Sequence, residues 1–276
     1  MKFLIGFLTC DSTQILNRFW DSLICTLRPE DTYDMFWVDN CSRDNTEEVQ
    51  RKYINNSPVN LVGFVKKNTN TGIVEPRNDI LKFAMTNGSY DYILFLNDDL
   101  YFNNGWVDAT LNAFSWHPKN GLVTIQDNTG AIPTPKGRAV SSCGGVYWAL
   151  NPKMVMEIGI INPKFRWLSQ DIEYCYRVYD FGWRVVVVDP GNIIEHKHYS
   201  RRRAYQDFAE FARVDNWRAA LMMHFVNDWY LWRLRDDYIK SGVHLTSKLT
   251  DDRTSPIWGR GNTDFSKIDE IDYEGM

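Results

Sequence analysis

Asn97-Asp98-Asp99 closes the apolar run Tyr92-Ile93-Leu94-Phe95-Leu96. Two adjacent carboxylates in a turn repel each other unless a cation sits between them, and hard oxygen ligands suit Mg²⁺ or Mn²⁺ carrying a diphosphate. A continuous apolar run of strand length reads as a strand buried on both faces, and in mostly parallel α/β sheets ligands collect where the strands end. That reasoning puts Asp98 and Asp99 at the mouth of a site. A second acidic stretch, Asp39-Asn40-Cys41-Ser42-Arg43-Asp44-Asn45-Thr46, follows another short apolar run and has the composition of an Asx-rich turn that caps the next helix, with Asp44 assigned to that turn. Gln170-Asp171-Ile172-Glu173 reads as the acidic first turn of a helix that Ser169 caps. His196 and His198 alternate along an extended segment, so only one of them faces the site. Residues 197–203 include three consecutive arginines; beside a phosphate site such a run would hold a leaving diphosphate.

The elements that must position these residues alternate strand and helix. A strand over 3–8 leads through Asp11-Ser12-Thr13 into a helix whose Ile15, Phe19, Leu23 and Leu27 repeat every four positions until Pro29 stops it. A strand over 35–38 precedes a helix with Glu47 and Glu48 in its first turn, where the helix dipole favours acids. A third strand over 61–65 leads to Asn70-Thr71-Gly72 and to a helix with Pro76 near its start and Gly88 at its end. The strand that bears the two aspartates comes next. This order, with short connections, predicts parallel strands joined by right-handed crossovers. The second half predicts a helix around Val107, Leu111 and Phe114, a strand over 122–125, a loop over 130–138, a strand over 144–150, a helix over 171–179 and a strand over 185–188. Residues 204–246 carry a helical pattern that reads as an extension packed on the 1–203 domain, and 247–276 reads as an extended or disordered tail.

Composition limits the function classes. A chain of 276 residues, 44% hydrophobic and 24% charged, is large enough for one α/β domain plus an extension. Its net charge of −4 argues against a generally nucleic-acid-binding surface. The stretch after Lys2 has too short an apolar core for a signal sequence and reads as a first buried strand. No segment has the roughly 18 uncharged apolar residues of a membrane span. Five cysteines, odd in number and without metal-type spacing, suggest reduced thiols in a cytoplasmic setting.

The succession Thr9, Asp39 to Thr46, Asn70-Thr71-Gly72, Asn97-Asp98-Asp99, Gly144-Gly145, Gln170-Asp171-Ile172-Glu173, then His196 and His198 resembles the family 2 glycosyltransferases. The likeness covers residues 3–200. It implies an α/β domain of the GT-A fold, Rossmann-like with a mostly parallel central sheet flanked by helices, and an inverting, metal-dependent transfer from a nucleoside diphosphate sugar to a hydroxyl acceptor. By that resemblance Asp39 and Thr9 lie beside the nucleotide base. A carboxylate there suits the N3–H of uracil, so UDP is favoured, although thymine and guanine also offer an N–H. Asp99 is implied as the ligand of Mn²⁺ or Mg²⁺, with Asp98 reaching the ribose or the water shell of the cation. Asn97 departs from the acid that opens the family's DXD motif. His196 is the preferred histidine near the metal, and Arg77 is implied to pair with phosphate. Asp171 is implied as the base that deprotonates the acceptor, with Glu173 as the fallback. Trp148 and Trp167 are offered as stacking platforms for the acceptor. Cys143 has no evident base partner, and inverting transfer needs no covalent intermediate.

Other classes fit less well. A nucleotidylyltransferase or a Rossmann dehydrogenase would carry a glycine-rich loop after the first strand, and residues 9–13 contain no glycine. A non-catalytic nucleotide-sugar-binding protein of the same fold would not need both Asp99 and Asp171. The acceptor is expected to be a glycan, with a modified nucleic-acid base as the alternative, and the helices after Ala204 would serve as an acceptor lid or a homodimer contact.

Overall fold

The computed structural model describes residues 1–125, 132–134, 137–139, 144–163, 170–188 and 193–196. Trp167, His198, Cys143, the basic run at 197–203, the expected extension at 204–246 and the tail at 247–276 lie outside the described residues.

The first half alternates as its sequence predicts: β1 (Lys2–Thr9), α1 (Thr13–Thr26), β2 (Thr32–Asp39), α2 (Thr46–Ile54), β3 (Val59–Lys66), α3 (Val74–Asn87) and β4 (Tyr92–Asn97). All four strands run parallel in the order β3-β2-β1-β4. In their register Thr9 pairs with Asp39, Asp39 with Lys66, and Leu8 with Asn97, so the strands end together along one edge of the sheet.

Side-chain alternation divides β1 between two apolar layers. Phe3, Ile5 and Phe7 join Phe19, Trp20 and Leu23 of α1 in one cluster, with the Phe7 and Phe19 rings 4.5 Å apart. On the other face Gly6 lies against Ile80 of α3, and Phe36 packs on Phe83 at 4.9 Å. Burial of this apolar area is the main favourable term in the fold. Gly88 ends α3 in the left-handed region at φ 40°, where a side chain would be strained.

The second half comprises β5 (Leu100–Phe102), α4 (Trp106–Ser115), β6 (Asn120–Thr124), β7 (Ile132–Thr134), β8 (Gly137–Ala139), β9 (Tyr147–Leu150), α5 (Pro152–Ile158), α6 (Gln170–Asp180), β10 (Arg184–Val187) and β11 (Ile194–His196). It extends the sheet to β3-β2-β1-β4-β9-β6-β10-β8-β7 among the described residues. β9 is antiparallel to both β4 and β6, while β6 and β10 are parallel, so the central sheet is mostly parallel with helices against it.

Three elements depart from the sequence reading. Part of the expected loop at 130–138 forms the β7–β8 hairpin, whose Pro133 is tolerated because β7 is the edge strand. Helix α5 was not expected, although Asn151 caps it by accepting from the Lys153 N–H at 3.0 Å and Pro152 occupies its first turn. The short β5 pairs with β11 in a separate two-stranded sheet, joining residues about a hundred positions apart. Among the described residues no helix is long and apolar enough to cross a membrane.

Candidate active site

The loops at the ends of the parallel strands are stitched to one another by polar side chains. The Asp11 N–H donates to Ser42 Oγ at 3.0 Å, the Arg43 N–H to Asp11 Oδ1 at 2.6 Å, and the Ser12 N–H to Thr46 Oγ1 at 2.7 Å. Asn40 holds the next loop: its Nδ2 donates to Asn70 Oδ1 at 2.7 Å and to the Gly72 carbonyl at 2.8 Å, and its Oδ1 accepts from the Thr71 N–H at 3.0 Å. Asp11 and Cys41 sit at φ 51° and 70°, left-handed conformations that cost about 1 kcal/mol or more for residues other than glycine. Such outliers persist only where surrounding contacts enforce them, as the hydrogen bonds of this edge do here.

Asp39, the last residue of β2, is fully buried. Its Oδ1 accepts from the Ser42 N–H at 3.0 Å, and its Oδ2 has no hydrogen-bond partner. Lys66 Nζ lies 3.8 Å from that oxygen and is itself held by Glu47 at 2.7 Å. An acceptor left open in a buried position is costly, of order 1 to 3 kcal/mol, and is a ready partner for an incoming N–H. Thr9 is buried in the adjacent strand, and its hydroxyl accepts from Trp37 Nε1 at 2.9 Å.

Ser12 precedes α1 but does not cap it. Its hydroxyl donates instead to Asp98 Oδ2, which anchors that buried carboxylate to the start of the helix. The capping acceptor is Asp44, which takes the Thr13 N–H of α1 at 3.2 Å and the Thr46 N–H of α2 at 3.1 Å. Asp99 has a different neighbour. The pairing of β11 with β5 brings His196 opposite Leu100 and leaves its Nε2 3.2 Å from Asp99 Oδ2. Asp99 Oδ1 is buried without a hydrogen-bond partner.

No cluster of three or more His, Cys, Asp or Glu that could hold a metal ion occurs among the described residues. A carboxylate with an open oxygen and an adjacent imidazole nitrogen nevertheless fit Mg²⁺ or Mn²⁺, which commonly take one or two side-chain ligands and complete their shell from water and substrate phosphate.

Several expectations change. Arg77 is not exposed to a phosphate: it is 3% exposed, donates to the Gly145 carbonyl and to Asn97 Oδ1 at 3.3 Å, and lies over the Phe95 and Trp148 rings. Trp148 cannot serve as an acceptor platform, because it is fully buried and stacked on Tyr174 with centroids 5.4 Å apart. Glu173 is not available as a fallback base. Arg177 grips both of its oxygens, Nε to Oε1 at 2.6 Å and Nη2 to Oε2 at 3.1 Å, and burial pushes its carboxyl up against the opposing pull of that guanidinium. Arg177 also donates to the Ile158 and Ile160 carbonyls at 2.7 and 2.8 Å. Asp171, two residues before Glu173, is partly exposed in the first turn of α6.

Sequence reasoning assigned no role to Asn40, Asn78 or Arg177. Asn78 was detectable: Val74, Arg77, Asn78, Leu81 and Ala84 follow the three-and-four spacing of a buried helix face, so two polar residues stand on an apolar stripe.

Sequence comparison matches residues 7–157, more than half of the chain, to the family described as glycosyl transferase family 2. No curated protein matches the chain in sequence. Among solved structures, TarS 1–349 of S. aureus in complex with UDP-GlcNAc is similar at a TM-score of 0.56 and 19% identity, over 73% of this chain and 60% of that one. GalNAc-T7 with UDP, GalNAc and Mn²⁺ is similar at 0.55 and 13%, over 68% and 42%. The mannosyltransferase PcManGT of Pyrobaculum calidifontis, with GDP-Man and Mn²⁺, is similar at 0.51 and 17%, over 69% and 57%. The chain therefore matches roughly two-fifths to three-fifths of the length of these structures, and the likeness is one of fold.

Proposed function

The chain belongs to glycosyl transferase family 2 and carries its GT-A fold, and on that premise we propose that it is a metal-dependent, inverting glycosyltransferase. It moves a sugar from a nucleoside diphosphate donor, UDP favoured, to a hydroxyl acceptor, a glycan favoured. The observation that carries this reading is the pair of buried carboxylate oxygens without a hydrogen bond, Asp39 Oδ2 at the end of β2 and Asp99 Oδ1 in the turn after β4, two parallel strands that end at the same edge of the sheet.

Each open oxygen matches one end of a nucleoside diphosphate. Asp39 has one oxygen committed to Ser42 and one without a hydrogen bond, which suits the single N3–H of uracil better than the paired N1–H and N2–H₂ of guanine. Asp99 and His196 would hold Mn²⁺ or Mg²⁺, which when bound neutralises the charge on the departing diphosphate. Asp98, tied to Ser12, would reach the ribose or the water shell of the ion. Asp171 accepts the acceptor's hydroxyl proton as that oxygen attacks the anomeric carbon; the carbon–oxygen bond to the diphosphate breaks and the configuration inverts. Complexes of similar structures with UDP-GlcNAc, with UDP and Mn²⁺, and with GDP-Man and Mn²⁺ support a nucleotide-sugar donor and a divalent metal.

The test is release of nucleoside diphosphate from UDP-, GDP- and dTDP-sugars with Mn²⁺, comparing wild type with Asp99→Asn and Asp171→Asn. We expect slow hydrolysis of one donor by the wild type and none by Asp99→Asn. Asp171→Asn is expected to keep donor binding and to lose transfer once an acceptor is supplied. Binding of no donor by the wild type would refute the proposal, and donor binding without turnover under any acceptor would favour a non-catalytic sugar-nucleotide-binding protein.

A further inference from the structure

Arg77 is a buried cation whose partners lie at the end of β4 and on and just before β9, two neighbouring strands. Its guanidinium is 5.4 Å from the Phe95 ring centroid and 5.3 Å from that of Trp148, and it donates to the Gly145 carbonyl and to Asn97 Oδ1. Removing a guanidinium from water costs several kcal/mol unless its partners compensate. Asn97 immediately precedes Asp98 and Asp99, and its N–H donates to the Val146 carbonyl at 3.1 Å. Gly145 comes just before β9, the strand antiparallel to β4. A Cβ on Gly145 would stand 2.6 Å from Arg77 Nη1, so this glycine admits the close approach. Arg77 thus ties the Asp98–Asp99 end of β4 to the start of β9 from the α3 side.

The next residue repeats the device. Asn78 donates to the Ile161 carbonyl at 2.7 Å and accepts from the Ile161 N–H at 2.8 Å. Consecutive side chains of α3 therefore fasten both the Asp98–Asp99 turn and the segment that leads toward α6.

Building on the function proposed above, we propose that Arg77 is a positioning residue: through Asn97 and Gly145 it sets the Asp98–Asp99 turn for the metal-bound diphosphate and does not itself contact the donor. This also accounts for asparagine at the head of the acidic motif. Position 97 serves as a neutral acceptor for Arg77 rather than as a ligand.

Calorimetric titration of UDP in EDTA and in saturating Mn²⁺ separates positioning from direct phosphate contact. Arg77→Gln is expected to leave the EDTA affinity within about twofold of wild type and to cut the gain conferred by Mn²⁺ by about tenfold or more. Asn97→Ala should also reduce the gain, the double variant should be no worse than Arg77→Gln alone because that change already removes the Asn97 link, and Asn97→Asp, which retains an acceptor, should preserve the Mn²⁺ gain. A comparable loss in EDTA would identify Arg77 as a phosphate ligand and overturn the proposal. So would additive single effects, or a Mn²⁺ gain in Asn97→Asp well above that of wild type. If Arg77→Gln lacks a cooperative melting transition, the Asn97 variants decide the matter by the same criteria. Wild-type protein that binds UDP, GDP and dTDP neither with nor without Mn²⁺ would overturn the functional reading and the clamp's role with it; intact wild-type binding with an undiminished Mn²⁺ gain in Asn97→Ala would overturn the clamp alone.

Discussion

On the proposed function, Asp39 would set the preference among bases. One of its oxygens is fixed by the Ser42 N–H and the other is open, so a single N–H is what it can accept. Asp39→Asn retains the size and the bond from Ser42 but turns an amide N–H₂ toward the base, where it opposes the uracil N3–H. A hydrogen bond to a charged group is worth about 1.5 to 3 kcal/mol, so UDP affinity should fall by roughly ten- to a hundredfold. CDP, whose N3 is an acceptor, should lose far less, and calorimetry with both nucleotides reads the ratio. An unchanged ratio would remove Asp39 from the base pocket. The same reasoning separates the two acidic residues in the first turn of α6. Glu173 is spent on Arg177, whereas Asp171, in the same first turn, is partly exposed.

At the scale of elements, the two helices behind this edge of the sheet share one cap. Asp44 accepts from the first turn of α1 and of α2, while Ser12 holds Asp98. Burial pushes the Asp44 carboxyl up, but hydrogen bonds from Thr46 and Thr13 outweigh it and hold the group below its ordinary value. A depressed carboxylate contributes stability that is present above its unfolded pKa and is lost as the pH falls through the folded one. Asp44→Ala should therefore cost about 1 to 2 kcal/mol near neutral pH, the usual worth of a lost N-cap. The deficit, read from urea denaturation, should shrink as the pH drops below about 4. A deficit that stays constant down to pH 2 would mean the ionised carboxylate is not the cap.

Across the whole molecule, the aromatic core carries the site. Trp148 joins β9 to α6 by stacking on Tyr174, and it lies beside Phe95 and Arg77. Trp148→Ala should lower stability by about 3 to 5 kcal/mol, the range for truncating a buried aromatic residue, and the loss should appear as a lower denaturation midpoint. A variant of normal stability with a raised acceptor KM would instead place Trp148 at the acceptor. The central position of β4, between β1 and β9, explains why the acidic turn is so firmly set: both neighbours hydrogen-bond to the strand that ends in it.

The sequence by itself determined the alternation of the first half, because apolar runs of strand length and helical spacing are local signals read from neighbouring residues. It also determined which acids close the strands, since Asp39 and Asp98-Asp99 follow their apolar runs directly. Helix α5 carried legible signals in Asn151-Pro152, whereas β5 is only three residues long and acquires its identity from a partner far along the chain. Tertiary structure alone decided the rest. Whether Arg77 faces a ligand or the core, whether Trp148 is platform or packing, and whether Glu173 is base or ion pair depend on Gly145, Tyr174 and Arg177. His196 met Asp99 only because β11 pairs with β5. Residue type states what a side chain can do; long-range packing and pairing decide which of its partners it meets.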